Sequence, residues 1–392
     1  MIDLSWFTLP TGAILIIFGF MWFFLFFKSF FYKNILKKDL PTPKFSIITA
    51  CRNEELVIKQ FIDVIKKQTY KNWELLVCVN NTTDKTYERA LEESQGYKCI
   101  KIFNHNPSEV GKGSALNYLI DKTEGDIILV FDTDNVIKSN YLLELSKYFM
   151  DSDINAVQTE IGAINGKKNI VTKMQDIEFM VFCKLFAKGR GKYGTGISGT
   201  GFAIRRELLK RMGGWRNELV EDLDLFLRLQ KRGIKVKFAE DIMTYDEKPE
   251  TWDTLINQRK RWIKGHLSIF FKNLDYFISN PFRLKYWLDF SYMASPISVV
   301  LMLSHLTLFY FMIFGGYNYL TYFYYPLSLW IGSLTLFSII LFYILWKEEK
   351  SYIKYIPFYM FVFSYHWVIV FFKCIFVKTW AHNKTIHKGI QR

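Results

Sequence analysis

The chain has 392 residues, 50% of them hydrophobic and 18% aromatic, with 37 Phe and 23 Tyr. Its formal net charge is +14, but no groove-reading motif accompanies the basic excess, so that excess is assigned to a membrane surface and not to nucleic acid. Cys51, Cys78, Cys99, Cys183 and Cys374 form no CxxC pair and the histidines make no metal spacing, which excludes a disulfide framework and a zinc site.

In chain order, residues 9–27 are uncharged and just long enough to cross a bilayer, which takes roughly 20 residues. No basic segment precedes them and no small-residue cleavage site follows, so they read as a span and not a signal peptide. Lys28, Lys33, Lys37 and Lys38 flank the C-terminal side. Positive charge stays in the cytoplasm, so the N-terminus is expected outside and the next domain inside. Residues 45–49 form an apolar run after Pro41 and Pro43 and before Arg52-Asn53-Glu54-Glu55, a buried strand feeding a helix to about Gln68. Residues 73–79 read as a second strand, and Asn80-Asn81-Thr82-Thr83-Asp84 as a turn capping a helix. Residues 100–103 are a third strand, Gly111-Lys112-Gly113 opens a helix through Ile120, and residues 126–131 are a fourth strand ending at Asp132.

Strands alternating with helices predict an α/β domain with a mostly parallel sheet and helices on both faces. Ligands on such sheets bind beyond the carboxyl ends of the strands, so Arg52, Asn80, Lys112 and Asp132 are expected in one crevice. Further on, residues 154–159 read as a strand, 168–184 as a helix, and 189–201 as a glycine-rich backbone that turns tightly or approaches a ligand. A helix over 219–230 opens with Glu221-Asp222, and 236–239 is a late strand. The helix predicted over 251–271 has an apolar side of Trp252, Leu255, Ile256, Trp262 and Ile263. The Arg, Lys, Tyr and Trp of 282–287 mix as they do at a membrane interface. Residues 291–314 and 326–346 read as spans, and 355–377 as a third apolar segment with Pro357, His366 and Lys373. Three full spans would put the tail outside, but its Lys378, Lys384, Lys388 and Arg392 favour the inside. Either the last segment is interfacial or re-entrant, or the tail breaks the charge rule; the tail is taken as cytoplasmic.

Three motifs carry chemistry. Asp132 and Asp134 stand at a strand end, where one carboxylate reaches a nucleotide and the other a divalent metal that offsets diphosphate charge; magnesium or manganese suits oxygen ligands. Alone, the pair also fits a polar turn. Asp222 is the candidate general base for an acceptor hydroxyl, with Glu221 beside it to orient it. Alone, the pair also fits acidic residues favoured by a helix dipole. Gln258, Arg261 and Trp262 share one helical face: Arg261 can clamp diphosphate oxygens, Gln258 adds a neutral hydrogen-bonding group, and Trp262 offers a flat face to a sugar ring. Lys112 between glycines can pair with phosphate, but it lacks the Walker spacing, so an ATPase is not expected.

With FSIITACRNEE, NNTTDKT, GKGSALN, FDTDN, SGTGFAIRRELL, GGW, VED and QRKRW in this order, the chain resembles the processive, membrane-embedded family 2 glycosyltransferases, the cellulose, chitin, hyaluronan and poly-N-acetylglucosamine synthases. The resemblance runs from about Lys44 to Gly265. It implies a cytoplasmic GT-A domain over 44–248, interfacial helices over 249–288, membrane segments over 1–32 and 289–378, and a basic tail over 379–392. It further implies a UDP-sugar donor, Mg2+ or Mn2+, and inversion at the anomeric carbon. By motif match Arg52, Glu54, Lys112 and Asp132 hold the nucleotide, Asp134 the metal, Gln258 and Arg261 the diphosphate, Asp222 is the base, and Trp262 meets the acceptor. Asn80-Asn81 stand where many members have Asp-Asp, which leaves Asn81 as the candidate uridine contact. The tail Lys384-Thr385-Ile386-His387-Lys388-Gly389 is similar to a loop that closes over the nucleotide. The leading expectation is a processive β-glycosyltransferase of the plasma membrane that builds a polysaccharide and passes it through its own spans, alone, as a homo-oligomer or with partner chains. The alternatives are transfer of one sugar to a lipid acceptor, and a catalytically dead binding subunit. Intact Asp132, Asp134 and Asp222 argue against the last.

Overall fold

A computed structural model describes residues 19–33, 43–105, 111–280, 282–293, 327–375, 387 and 389. The chain divides into two units: a sheet unit of Tyr32–Phe179, Arg190–Thr254 and Asn383–Arg392, and a helical unit of Met1–Phe31, Met180–Gly189 and Leu255–His382.

The strands of the sheet unit are β1 (Phe45–Cys51), β2 (Trp73–Asn80), β3 (Ile100–His105), β4 (Ile127–Val130), β5 (Val136–Ile137), β6 (Ala156–Ala163), β7 (Phe202–Arg205) and β8 (Val236–Asp246). They form one eight-stranded sheet in the order β3-β2-β1-β4-β7-β6-β8-β5. The first four pair in parallel, as the strand–helix alternation predicts. β1 (FSIITAC) and β2 (WELLVCVN) are nearly continuous apolar runs because helices cover both faces of a parallel sheet. One face packs Phe45, Ile47, Leu75, Val77, Ile127 and Leu129 with Phe61, Ile62 and Ile65 of the helix Ile58–Lys66.

The second half of the sheet is mixed. β7 runs antiparallel to both β4 and β6, β8 runs parallel to β6, and β5 runs antiparallel to β8. Predicted elements differ here mostly in extent: β6 begins at Ala156 and continues to Ala163, and β8 continues from Ala239 to Asp246 through a register shift at Thr159/Glu160. The helix predicted over 168–184 is α-helical only over Ile170–Val181, then widens to a π-helix over Phe182–Ala187.

In the helical unit, Trp252–Lys272 is one helix whose residues from Leu255 belong to this unit. The helix Gly19–Phe30 sets Phe26 and Phe30 against Tyr343 of Leu327–Glu348, with ring centroids 5.7 and 5.3 Å apart. A Cβ on Gly189 would stand 2.3 Å from the Leu25 carbonyl oxygen, so only glycine admits that approach. Among the described residues, Ile331–Glu348 is long and apolar enough to cross a membrane. Lys350–Phe361 and Phe363–Cys374 qualify together but bend by 42° at Val362, the geometry of a broken span or a re-entrant segment. The spans predicted over 9–27 and 291–314 lie outside the described residues apart from 19–27 and 291–293.

Candidate active site

Topology assembles the site. β1 and β4 are neighbours while β2 and β3 continue on the other side of β1, so the crevice opens beyond the carboxyl ends of β1 and β4. β7 pairs antiparallel to β4, with Val130 opposite Phe202. The residues just before β7 therefore lie beside those just after β4, which brings Gly199 and Thr200 to Asp132. The Asp132 amide donates to Thr200 Oγ1 at 3.1 Å and to Asn135 Oδ1 at 3.0 Å. Thr200 Oγ1 also donates to Asn135 Oδ1.

Lys112, at the start of the helix Lys112–Ile120, reaches into this crevice. Its Nζ donates to Asp132 Oδ1 at 2.6 Å and to the Gly199 carbonyl at 2.9 Å, and lies 3.7 Å from Glu221 Oε1. Burial pulls the Lys112 ammonium down, but Asp132, Glu221 and Asp222 outweigh it and hold Lys112 above the usual lysine range. Glu221 and Asp222 open the helix Glu221–Lys231, where the helix dipole favours acidic residues. A Cβ placed on Gly199, whose φ is +71°, would stand 3.0 Å from Asp222 Oδ2 and 3.8 Å from Lys112 Nζ. Lys112, Asp132, Glu221 and Asp222 thus share one cluster around a bare stretch of backbone.

Asp134 faces a second group of partners. β5 pairs antiparallel to β8, which brings the end of β8 to the Asp132–Asn135 turn. The Glu247 amide donates to Asp134 Oδ2 at 3.0 Å, and His387 Nδ1 lies 3.1 Å from the same oxygen. Asn135 Nδ2 donates to Oδ1 at 3.4 Å. The Gly389 amide donates to Glu247 Oε2 at 3.0 Å, so the tail meets the site at two points. Burial alone would raise Asp134, but His387 holds it below the ordinary carboxylate range. Burial pulls the His387 imidazole down, and Asp134, Glu54 and Glu247 lift it to about 9. Asp246 is pushed up by burial and by the neighbouring Asp134 and Asp132, against the pull of Lys248, whose Nζ is 2.7 Å from Asp246 Oδ1.

Among the described residues no group of three or more His, Cys, Asp or Glu forms a ready cage for a metal. Asp132 and Asp134, just beyond β4, carry the oxygen donors that suit a hard divalent cation of the kind that keeps several waters and takes one or two protein carboxylates plus substrate phosphates.

The other predicted residues are placed separately. Arg52 is exposed in the turn after β1. Glu54 is buried, and its amide donates to Thr86 Oγ1 at 2.7 Å. Asn81 takes a left-handed φ of 49° and donates to Asn80 Oδ1 at 2.8 Å, while Asn80 Nδ2 donates to the Gly111 carbonyl at 3.3 Å. The Asp84 carboxylate accepts from the Thr86 amide at 3.0 Å, Thr82 Oγ1 at 2.8 Å and the Glu55 amide at 3.2 Å, which fastens the β1 and β2 loops together. Gln258, Arg261 and Trp262 lie in the helical unit on one continuous helix, with Arg261 exposed and Trp262 half-buried. Sequence reasoning did not single out Gly199, Thr200, Asn135, Asp246 or Glu247 as site residues. The SGTG run was a signal for the first two.

The fold and the carboxylate–lysine crevice define an α/β protein whose candidate site lies beyond the carboxyl ends of its parallel strands. Residues 42–265 match the family described as Glycosyltransferase like family 2, and the chain belongs to that family. It is 33% identical over 268 residues to the "Probable glycosyltransferase YdaM" of Bacillus subtilis (strain 168), covering 65% of this chain and 62% of the relative. It is 31% identical over 245 residues to the "Beta-monoglucosyldiacylglycerol synthase" of Nostoc sp., covering 61% and 52%. It is 25% identical over 254 residues to the "Poly-beta-1,6-N-acetyl-D-glucosamine synthase" of Staphylococcus aureus, covering 62% and 60%. The chain thus spans between half and two thirds of the length of these relatives. A solved mannosyltransferase, PcManGT from Pyrobaculum calidifontis in complex with GDP-Man and Mn2+, shares the GT-A-like fold with a TM-score of 0.62 at 16% identity, over 94% of this chain and 99% of that one.

Proposed function

We propose that this chain is a nucleotide-sugar-dependent glycosyltransferase that adds one sugar to a lipid acceptor at a membrane surface. The observation that carries the transferase reading is Lys112 bound to Asp132 within reach of Glu221 and Asp222. The lipid acceptor is supported by the 31% identity to a beta-monoglucosyldiacylglycerol synthase, against 25% for the polymer-forming relative. Apolar helices on the same chain suit a protein that works at the membrane holding such an acceptor.

The donor is a UDP-sugar. Asp132 contacts the nucleotide, and Asp132 and Asp134 would hold Mg2+ or Mn2+. That ion supplies Lewis-acid relief of the charge on the departing diphosphate. Lys112 orders Asp132 and Glu221 before the donor arrives. Asp222 removes the proton from the acceptor hydroxyl as that oxygen attacks the anomeric carbon from the face opposite the diphosphate, inverting it. Gln258 and Arg261 hold diphosphate oxygens, and Trp262 stacks on the acceptor.

A second reading, processive synthesis of a polysaccharide, has its own support in QRKRW lying on one continuous helix and in the Staphylococcus aureus relative. The test is full-length protein in lipid, given a panel of UDP-sugars with manganese or magnesium and diacylglycerol. Nucleotide release with a short lipid-extractable product supports single transfer. A long product on a sizing gel establishes the processive reading. No release with any donor overturns both.

A further inference from the structure

Two helices of the sheet unit start at the crevice. Lys112–Ile120 delivers Lys112, and Glu221–Lys231 delivers Glu221 and Asp222, with Lys112 Nζ and Glu221 Oε1 3.7 Å apart. The turn Met212–Trp215, which leads toward the second helix, is gripped by both. Asn117, on the first helix, takes both backbone groups of Trp215: Nδ2 donates to the Trp215 carbonyl at 2.7 Å, and Oδ1 accepts from the Trp215 amide at 2.8 Å. Arg228, on the second helix, donates through Nη1 to the Met212 carbonyl and through Nη2 to the Gly214 carbonyl, each at 2.7 Å. Its Nε donates to Asp224 Oδ2, also at 2.7 Å, which ties the same guanidinium to its own helix. Trp215 and Asp224 are buried, so losing these bonds strands polar groups away from bulk water. The first helix and the turn meet at glycines: a Cβ on Gly214 would stand 2.3 Å from Asn117 Oδ1, and one on Gly113 would stand 2.7 Å from the Arg216 carbonyl oxygen.

We propose that Asn117 and Arg228 are positioning residues for the transfer: through the Met212–Trp215 turn they set the spacing of Lys112 from Glu221 and Asp222. The inference rests on the reading of Lys112 as the ordering cation and Asp222 as the base. A primary amide suits Trp215 because it donates and accepts at once; a carboxylate lacks the donor and an aliphatic side chain lacks both. Asn117 lies about 7 Å along the helix axis from Lys112, within the same nine-residue element. So short a helix moves as one body, and releasing Asn117 lets Lys112 shift with it. A displacement of about 1 Å in a group that orders the reacting pair costs up to about 10²-fold in rate. Arg228 constrains the acidic pair in the same way from the second helix.

The experiment uses the full chain in lipid nanodiscs, with Asn117→Leu and Arg228→Lys, each alone and combined with Lys112→Met. Arg228→Lys keeps a cation beside Asp224 and gives up the paired bonds to the turn. Initial rates are measured against donor and acceptor concentration, and amide hydrogen exchange is followed over residues 212–224. Each single variant lowers kcat by about 10- to 10²-fold and leaves both KM values within about twofold. Exchange over 212–224 rises about tenfold while β1 exchanges as in wild type. In the Lys112→Met background the same changes lower kcat by less than about threefold, because the cation they place is gone. An unchanged kcat overturns the proposal. So does a full multiplicative loss in the Lys112→Met background, which marks a purely structural role. A wild-type protein that makes no product refutes the transferase reading instead; exchange over 212–224 unchanged by Asn117→Leu then overturns the positioning claim on its own.

Discussion

Replacing Lys112 by Met removes the cation that joins the two halves of the crevice. The lost contacts are a 2.6 Å charge-assisted bond to Asp132, a 2.9 Å bond to the Gly199 carbonyl, and the 3.7 Å approach to Glu221. A hydrogen bond to a charged group contributes about 1.5–3 kcal/mol. Asp132 is 42% exposed, so solvent screening puts its pair at the lower end of that range. Glu221 is only 8% exposed and stands to lose more. The site is then weakened by about 3–4 kcal/mol, which at tenfold per 1.36 kcal/mol corresponds to a fall in kcat of about 10²–10³-fold. Lys112→Arg keeps the charge and recovers part of this. Steady-state kinetics over pH supplies a second check. Lys112 is raised above the ordinary lysine value of 10.5, so its contribution is complete below that value and is lost only as pH rises through the higher folded value. The deficit of Lys112→Met is therefore flat from about pH 6 to pH 9. A variant within threefold of wild type, or a deficit that closes inside that window, refutes the reasoning.

Asp222→Asn lowers turnover by about 10²–10⁴-fold while donor binding, measured by calorimetry, is retained; unchanged turnover removes Asp222 as the base. His387→Ala takes an imidazole from 3.1 Å beside the buried Asp134, which keeps its bond from the Glu247 amide. The chelator-treated variant unfolds with about 1–3 kcal/mol less stability, and an identical Tm shows that the tail contact contributes nothing. Gly201 has φ +60°, and a Cβ there would stand 2.4 Å from Thr159 Oγ1 and 2.6 Å from Thr244 Oγ1. Gly201→Ala therefore destabilises by about 2–4 kcal/mol in thermal unfolding, and a neutral result contradicts the packing of that hydroxyl cluster.

What could be read from the sequence follows from how local each feature is. β1, β2 and β4 are apolar runs bounded by polar turns, and they fall within a residue or two of expectation. Lys112 and Asp132 could be placed together because parallel strands direct their carboxyl ends to one edge. The helix Tyr141–Phe149 was not anticipated, although its buried Tyr141, Leu142, Leu145, Tyr148 and Phe149 carry a helical period. β5 and β7, of two and four residues, are too short to show any period. Their antiparallel pairing is what carries Gly199 to Asp132 and Glu247 to Asp134, so the mixed half of the sheet and the junction it creates were not legible. The Asp134–His387 contact joins the middle of the chain to its tail, and no local pattern encodes it. Arg259 and Arg261 look alike in QRKRW; only the register of the helix against Trp367 buries one and exposes the other.

Three carboxylates crowd the crevice, and each has its own cation from a different element. Asp132 has Lys112 from the helix after β3, Asp134 has His387 from the tail, and Asp246 has Lys248 just beyond β8. Burial pushes Asp246 up, and the like charges of Asp134 and Asp132 add to that push. No pair is therefore energetically private: removing one cation exposes the remaining carboxylates to each other as well as to their own loss. The consequence is measurable in a double-mutant cycle. Lys112→Met and His387→Ala touch different carboxylates and share no hydrogen bond. If Asp132 and Asp134 communicate through their charges, the two changes couple by about 0.5–3 kcal/mol in unfolding free energy of the metal-free protein. Added salt screens this only weakly, because Asp134 and Lys248 are buried. Strict additivity breaks the argument, since it means that each pair neutralises its own carboxylate and the crowding has no energetic consequence.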